Sequence, residues 1–496
     1  MTNVPEVKLG IVTVSRDCFP ISLSENRRKA VTAACSKRGV SVFEAKTIIE
    51  NEKDALKALD EIKKAACNAL VVYLGNFGPE TPETIIAQYF PGPVMYAAAA
   101  EDAAKDLMND RGDAYCGMLN CSYNLGLRKI KAIIPEYPVG DPKCIAAMII
   151  DFIPVARAVI GIANLKIITF GPRPSDFLAC NAPIKGLYDI GIEIEENSEL
   201  DLLVSYRKHK DDKRINSTAK EMEKELGKGN QYPEILPRLA QFEITLLDWA
   251  EEHKGSRNFI TFANKCWPAF PVEFGFVPCY VNSRLASRGI PVGCEVDIYG
   301  ALSEYIGACV SNDAVTLLDI NNSVPADLYS SAIKTKFKKY SSQDVFMGFH
   351  CGNTPLCKLK KEKNTGLKYQ LIMNRGLEGG RKPDITRGTM EGDIVPGDIT
   401  FFRLHGAPDG TLQAYIAQGE VLPVPTGSFG GIGIFAIPEM GRFYRHVLIA
   451  KHYPHHGGVV FGKYGKPIFT VLDYLGVQDI AYNQPKGVLY RTENPF

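Results

Sequence analysis

Charge imbalance, cysteine pairs, internal repeats and long apolar runs are all missing from this 496-residue chain, and each absence removes a class of protein. Its 57 basic and 56 acidic side chains leave a formal charge of +1, which argues against a nucleic-acid or polyanion binder. The 13 cysteines are odd in number and contain no C-x-x-C pair, so they read as reduced, mostly buried small hydrophobes. No apolar run reaches the roughly 18 residues of a membrane span. MTNVPEVKLGIVTVSRD lacks the basic segment, apolar core and cleavage site of a secretion signal. The expectation is a cytoplasmic enzyme or binding protein, without nucleic-acid or membrane partners.

What is present is an ordinary globular composition, 45% hydrophobic and 23% charged, in a chain too long for one core. Runs rich in β-branched residues, VKLGIVTVS (7–15), VSVFEA (40–45), NALVVYLG (68–75) and GPVMYAAA (92–99), alternate with helical patterns. That alternation predicts a parallel sheet flanked by helices. The pattern restarts at LKIITFGPRP (165–174) after a long helix at 141–163. From about residue 311 shorter β-rich runs broken by glycine and proline predict a mostly antiparallel domain. The expected organisation is two Rossmann-like α/β domains, 1–163 and 164–310, followed by a β-rich C-terminal domain, 311–496.

Three of the eight histidines, His452, His455 and His456, crowd into KHYPHHGGVVFG. A proline before the pair and glycines after it predict a tight turn that holds an imidazole at a fixed angle. The spacing alone fits exposed loop residues as well as a metal site, because no thiolate cluster or H-x-x-x-H accompanies it. Glu295 and Asp297, in PVGCEVD, open a predicted helix. Glu295 is flanked by apolar residues, where an unpaired carboxylate is costly, although first-turn acids can simply complement a helix dipole. Asp319 ends the apolar run VTLLDINNS, a position suited to a ligand or to a turn. His350, in FMGFHCGN, also follows a strand. In NKCWPAF, Lys265 and Trp267 set a cation beside an aromatic face, a combination that suits a sugar.

On these residues the chain resembles the L-fucose isomerase and L-arabinose isomerase family, and more closely the L-fucose isomerase branch. There a metal is held by a glutamate at a helix start, an aspartate at the end of the next strand and a histidine in an N-H-G turn. Glu295 matches the glutamate, Asp319 follows 24 residues later, and His456 matches the histidine, with His455 in place of the asparagine. Lys265 departs from the family's glutamine-rich segment before a tryptophan. The likeness is specific over 258–320 and 450–485 and architectural over the N-terminal half.

The resemblance implies an aldose–ketose isomerase acting on an open-chain sugar through a cis-enediol. Glu295 and Asp319 would serve as acid and base, and Glu295, Asp319 and His456 would hold Mn²⁺ or Mg²⁺. Two carboxylates and an imidazole suit these hard ions. Lys265, Trp267, His350 and His455 are the expected substrate contacts, with His350 a fourth ligand if the arabinose pattern applies. The resemblance also implies a homohexamer whose sites are completed by a neighbour's first domain, with Asn76 and Phe77 of YLGNFGPE as the residues concerned. Lys265, Arg284 and Arg403 leave room for an anionic substituent. The rival readings are a glycoside hydrolase, which needs two carboxylates but neither metal nor histidine, and a non-enzymatic sugar-binding protein.

Overall fold

The computed structural model describes residues 1–109, 111–369 and 386–496. The chain divides into two compact units, Pro5–Ile160 and Met1–Val4 with Gly161–Phe496. The fold is mixed α/β, with parallel sheets toward the N-terminus and a large β-rich sheet toward the C-terminus.

In the first unit, β1 (Leu9–Val14), β2 (Phe43–Ile49), β3 (Ala69–Leu74), β4 (Val94–Ala99) and β5 (Val139–Gly140) form a parallel sheet in the order β2-β1-β3-β4-β5. Every residue of β1, β3 and β4 is buried, as continuous apolar runs require when helices cover both faces of a sheet. Helix starts follow local chemistry. Asn51, for example, caps the helix Glu52–Lys64 by accepting the backbone N–H groups of Lys53 and Asp54.

Helix Pro142–Ala163 stands out among the described helices. It is long and apolar enough to cross a membrane, although Asp151 and Arg157 interrupt its apolar run in the sequence. More than half of its most apolar stretch is buried inside the protein, which is the pattern of a core helix.

The second unit contains two sheets. A parallel one, ordered β7-β6-β8-β9, is built from β6 (Leu165–Gly171), β7 (Glu193–Ser198), β8 (Phe259–Ala263) and β9 (Val292–Gly293). The other contains β10 (Thr316–Ser323), β11 (Val345–His350), β12 (Gly366–Tyr369), β13 (Arg387–Asp393), β14 (Gly397–Gly406), β15 (Leu412–Leu422), β16 (Gly431–Ala436), β17 (His456–Phe461) and β18 (Asp479–Tyr482). Its order is β12-β13-β16-β11-β10-β17-β14-β15-β18. Pairing of β15 back to β16 closes the ring β16-β11-β10-β17-β14-β15 into a barrel. Phe346, Phe401, Tyr415 and Phe435 contribute to its aromatic packing. Helix Ile298–Ser311 follows β9 and packs on β14 and β17, so the parallel sheet and the barrel meet around its N-terminus.

Candidate active site

Two of the candidate residues are brought together by strand register alone. In the antiparallel β10–β17 pair Asp319 lies opposite His456, and in the β10–β11 pair it lies opposite Phe349, the neighbour of His350. The backbone N–H of Ile320 donates to the His455 carbonyl at 2.9 Å, fixing the turn into β17.

Glu295 arrives from the other sheet, just beyond β9. It precedes the α-helix and occupies a short turn, Cys294–Val296, with φ 62° and ψ 25°. Val296 also has a positive φ, 59°, a costly conformation for a β-branched residue. This left-handed pair swings the Glu295 carboxylate toward the barrel end. The Glu295 Oε2 lies 3.4 Å and the Asp319 Oδ1 3.3 Å from His456 Nε2.

The helix itself begins at Ile298 with Asp297 as its cap, accepting the Gly300 N–H at 2.9 Å. A Cβ at position 300 would sit 2.6 Å from Asp297 Oδ2, so glycine is needed for this close approach. Asp297 accepts two hydrogen bonds from Arg403, at 2.7 and 2.9 Å, and one from His456 Nδ1 at 2.8 Å. The three side chains are at most 1% exposed. Burial pushes the Asp297 carboxyl up, but the Arg403 charge and the bonds from His456 and Arg403 outweigh it and hold the group well below the usual carboxylate range. An ionised carboxylate only accepts, so Nδ1 of His456 carries the proton it donates. Nε2 is thereby left to face Glu295 and Asp319. Arg403 is fixed in turn by His405 Nδ1, 3.3 Å from one guanidinium nitrogen. Burial, then the Arg403 charge, pull His405 down to about 3 and keep it a neutral acceptor.

The convergent atoms are the ones left without partners. His456 Nε2 and Asp319 Oδ1 are buried, and neither makes a hydrogen bond among the described residues. Burial lowers the His456 basicity, yet Asp297, Cys180, Glu295 and Asp319 together raise it well above the ordinary imidazole value. The pocket therefore favours a positive charge at Nε2. A divalent cation between two carboxylate oxygens and an imidazole nitrogen meets that demand. Oxygen or nitrogen ligands about 2.1 Å from an octahedral ion stand roughly 3 Å apart, close to the spacings here.

The other candidates ring this point. His350 is 3% exposed, its ring centroid 5.8 Å from that of His456, and its Nδ1 accepts the Cys351 N–H at 2.9 Å. His455 Nε2 is 3.9 Å from Asp319 Oδ1, and burial followed by the His456 charge lowers its basicity. Phe177 links His455 to Trp267, at 5.5 and 6.3 Å between centroids. Lys265 pairs with Glu199 at 2.9 Å. Asn76 and Phe77 belong to the first unit. There the Asn76 amide is fully buried, donating to Ser15 Oγ and accepting the Arg16 N–H, while Phe77 is half-buried under the Arg16 guanidinium.

Two cations read as anion contacts prove to be committed elsewhere. Arg403 is the partner of Asp297, and Arg284 is buried against Glu243 and Glu225. Sequence reasoning missed this role of Arg403, and also Cys180, whose Sγ is 3.8 Å from His456 Nδ1 and 4.0 Å from Glu295. It missed Glu304 as well. This side chain is fully buried with one oxygen unpartnered, and its carboxyl is pushed well up by burial and the Asp297 charge. Position 303–304 on the inward face of an apolar helix was the available signal for that carboxyl; nothing in the sequence marked the others.

The chain is similar to known proteins over most of its length. Residues 10–163 match the model of the fucose/sulfoquinovose isomerase N-terminal domain, and 348–482 match that of the L-fucose isomerase C-terminal domain, together more than half of the chain. A sulfoquinovose isomerase from Priestia aryabhattai is 22% identical over 480 residues, covering 95% of this chain and 98% of that protein. Those from Clostridium sp. (strain MSTE9) and Alkalicoccus urumqiensis are 27% and 26% identical, but over 44% and 53% of this chain. In these two the match spans only about half of the relative's length, 43% and 53%. The chain belongs to the fucose/sulfoquinovose isomerase family.

Proposed function

We propose that the protein is a metal-dependent aldose–ketose isomerase for an open-chain hexose of the fucose or sulfoquinovose kind. The observation that carries this reading is the convergence of Glu295, Asp319 and His456 on one point, with buried, unpartnered Nε2 and Oδ1 atoms facing it. These three residues would hold Mn²⁺ or Mg²⁺. Such an ion, when bound, polarises the sugar carbonyl and acidifies the hydrogen on C2. Glu295 and Asp319 carry the proton between C2 and C1, and a cis-enediol is the intermediate. Asp297, paired with Arg403, bonds His456 Nδ1 and so makes Nε2 the nitrogen that faces the cation. Trp267, Phe177 and His455 form an aromatic wall suited to an apolar sugar face, and the buried His350 lines the ligand side.

The sulfoquinovose isomerases among the relatives favour a sulfonated hexose. Arg173 supports an anionic substituent. It lies on the segment between β6 and Cys180 that also carries Phe177, and its buried Nε has no hydrogen-bond partner among the described residues.

We further propose a closed homo-oligomer, a hexamer, built through the first unit. The helix Ala114–Leu127 exposes Tyr115, Leu119, Tyr123 and Leu127 at 60–67%, one residue per turn on a single face. The same helix packs on the Phe77 backbone, since a Cβ at Gly117 would lie 2.2 Å from the Phe77 carbonyl oxygen. A cytoplasmic setting fits 13 cysteines of which none is in a disulfide. The experiment is a panel of aldoses, including fucose, arabinose and sulfoquinovose, assayed after chelation and again with Mn²⁺. Turnover of a sulfonated hexose restored by Mn²⁺ is expected; turnover that survives exhaustive chelation, or hydrolysis of a glycoside, would overturn the reading.

A further inference from the structure

Beside the oxygen- and nitrogen-lined point lies a second convergence of a different chemistry. The sulfur atoms of Cys266, Cys279 and Cys351 lie within 4.8 Å of one another. They come from three separate segments: the loop after β8, the start of helix Cys279–Ser287, and the end of β11. Cys294 packs in the same buried cluster. Cys266, Cys279 and Cys294 are each 2% exposed and pack with Val277 and Trp267, and none of the four is in a disulfide.

We propose that these thiols form a binding site for a soft or borderline cation of the Zn²⁺ or Cu⁺ class, separate from the isomerase site. Three sulfur donors without a carboxylate select such ions over Mn²⁺ or Mg²⁺. Zinc–sulfur bonds of about 2.3 Å in a tetrahedral site set the sulfurs about 3.8 Å apart, so the cluster needs only a small contraction. On binding, each of the three thiols releases its proton to solvent as its sulfur lone pair joins the metal. The ion would tie together the segments carrying Trp267 and His350, each the sequence neighbour of a cluster cysteine. Two adjacent sites would thus sort ions by softness, the sulfur set holding a structural ion and the oxygen-rich set the ion of the reaction. This inference does not depend on the isomerase reading.

The test is titration of the chelated full-length protein with Cd²⁺ in excess Mg²⁺, following the ultraviolet sulfur-to-cadmium charge-transfer band. The band should saturate at one ion per chain, vanish in Cys279→Ser, and persist in Glu295→Gln and Cys180→Ala. Cys351→Ala, at the half-exposed edge of the cluster, should give the same loss and stands in if Cys279→Ser does not fold. No band in the parent protein, a band that survives both cluster substitutions, or one lost in Cys180→Ala would overturn the proposal.

Discussion

Asp297→Asn keeps the shape of the side chain that joins Arg403 to His456 and removes only its charge. The carboxylate accepts four hydrogen bonds, two from Arg403, one from His456 and one from the Gly300 N–H, all out of contact with solvent. Without it Arg403, 0% exposed, is left as a buried cation with no counter-ion among the described residues. Breaking one side of a buried pair costs about 3–5 kcal/mol. The amide oxygen still accepts one bond, so the lower end, about 3 kcal/mol, is expected. The asparagine also stops dictating which nitrogen of His456 is protonated, and loss of such a support costs about 10–100-fold in metal affinity. Denaturant unfolding at neutral pH measures the first effect, and calorimetric titration with Mn²⁺ the second. An unchanged unfolding midpoint together with an unchanged Mn²⁺ affinity would show that Asp297 neither neutralises Arg403 nor orients His456.

Three further substitutions probe the surrounding structure. Burial and Asp297 hold the Glu304 carboxyl well above its ordinary value of 4.5, so its contribution to stability is complete below that pH and is lost as pH rises through the folded value. Glu304→Gln should remove that pH-dependent loss in denaturant unfolding run from pH 4 upward; identical pH profiles would contradict the assignment. Gly300→Ala places a methyl group 2.6 Å from Asp297 Oδ2 and should cost about 1–3 kcal/mol in thermal unfolding while weakening Mn²⁺ binding. Arg284→Met strips Glu243, 2% exposed, of one of its two cations and should destabilise by about 3 kcal/mol or more without altering sugar KM, separating this structural pair from substrate binding.

Much of this architecture is legible in the sequence, for identifiable reasons. The runs at 68–75 and 92–99 are buried on both faces and therefore read as continuous apolar strands, and their observed bounds, Ala69–Leu74 and Val94–Ala99, fall inside them. GDITFFRLHG and LQAYIAQGEVL are strands from end to end, because glycine or proline punctuates them. Glu295, Asp319 and His456 stand out as polar residues at the ends of apolar runs, where burial demands a partner. What the sequence hides is long-range pairing. Arg403 is 106 residues from Asp297, and in β14 it looks like any strand cation until the barrel closes over it. The left-handed Glu295–Val296 turn is equally hidden, since neither residue type favours it and only tertiary packing imposes it. The thiol cluster joins residues up to 85 positions apart, so spacing cannot show it.

The central claim is that Glu295, Asp319 and His456 hold one catalytic cation. The most direct test is Mn²⁺ binding followed by electron paramagnetic resonance on the chelated full-length protein, for the parent and for Glu295→Gln, Asp319→Asn and His456→Ala. The account predicts one tightly held ion per chain in the parent, lost in each variant together with isomerase turnover. A parent that holds no Mn²⁺, or variants that bind it as the parent does, would contradict it.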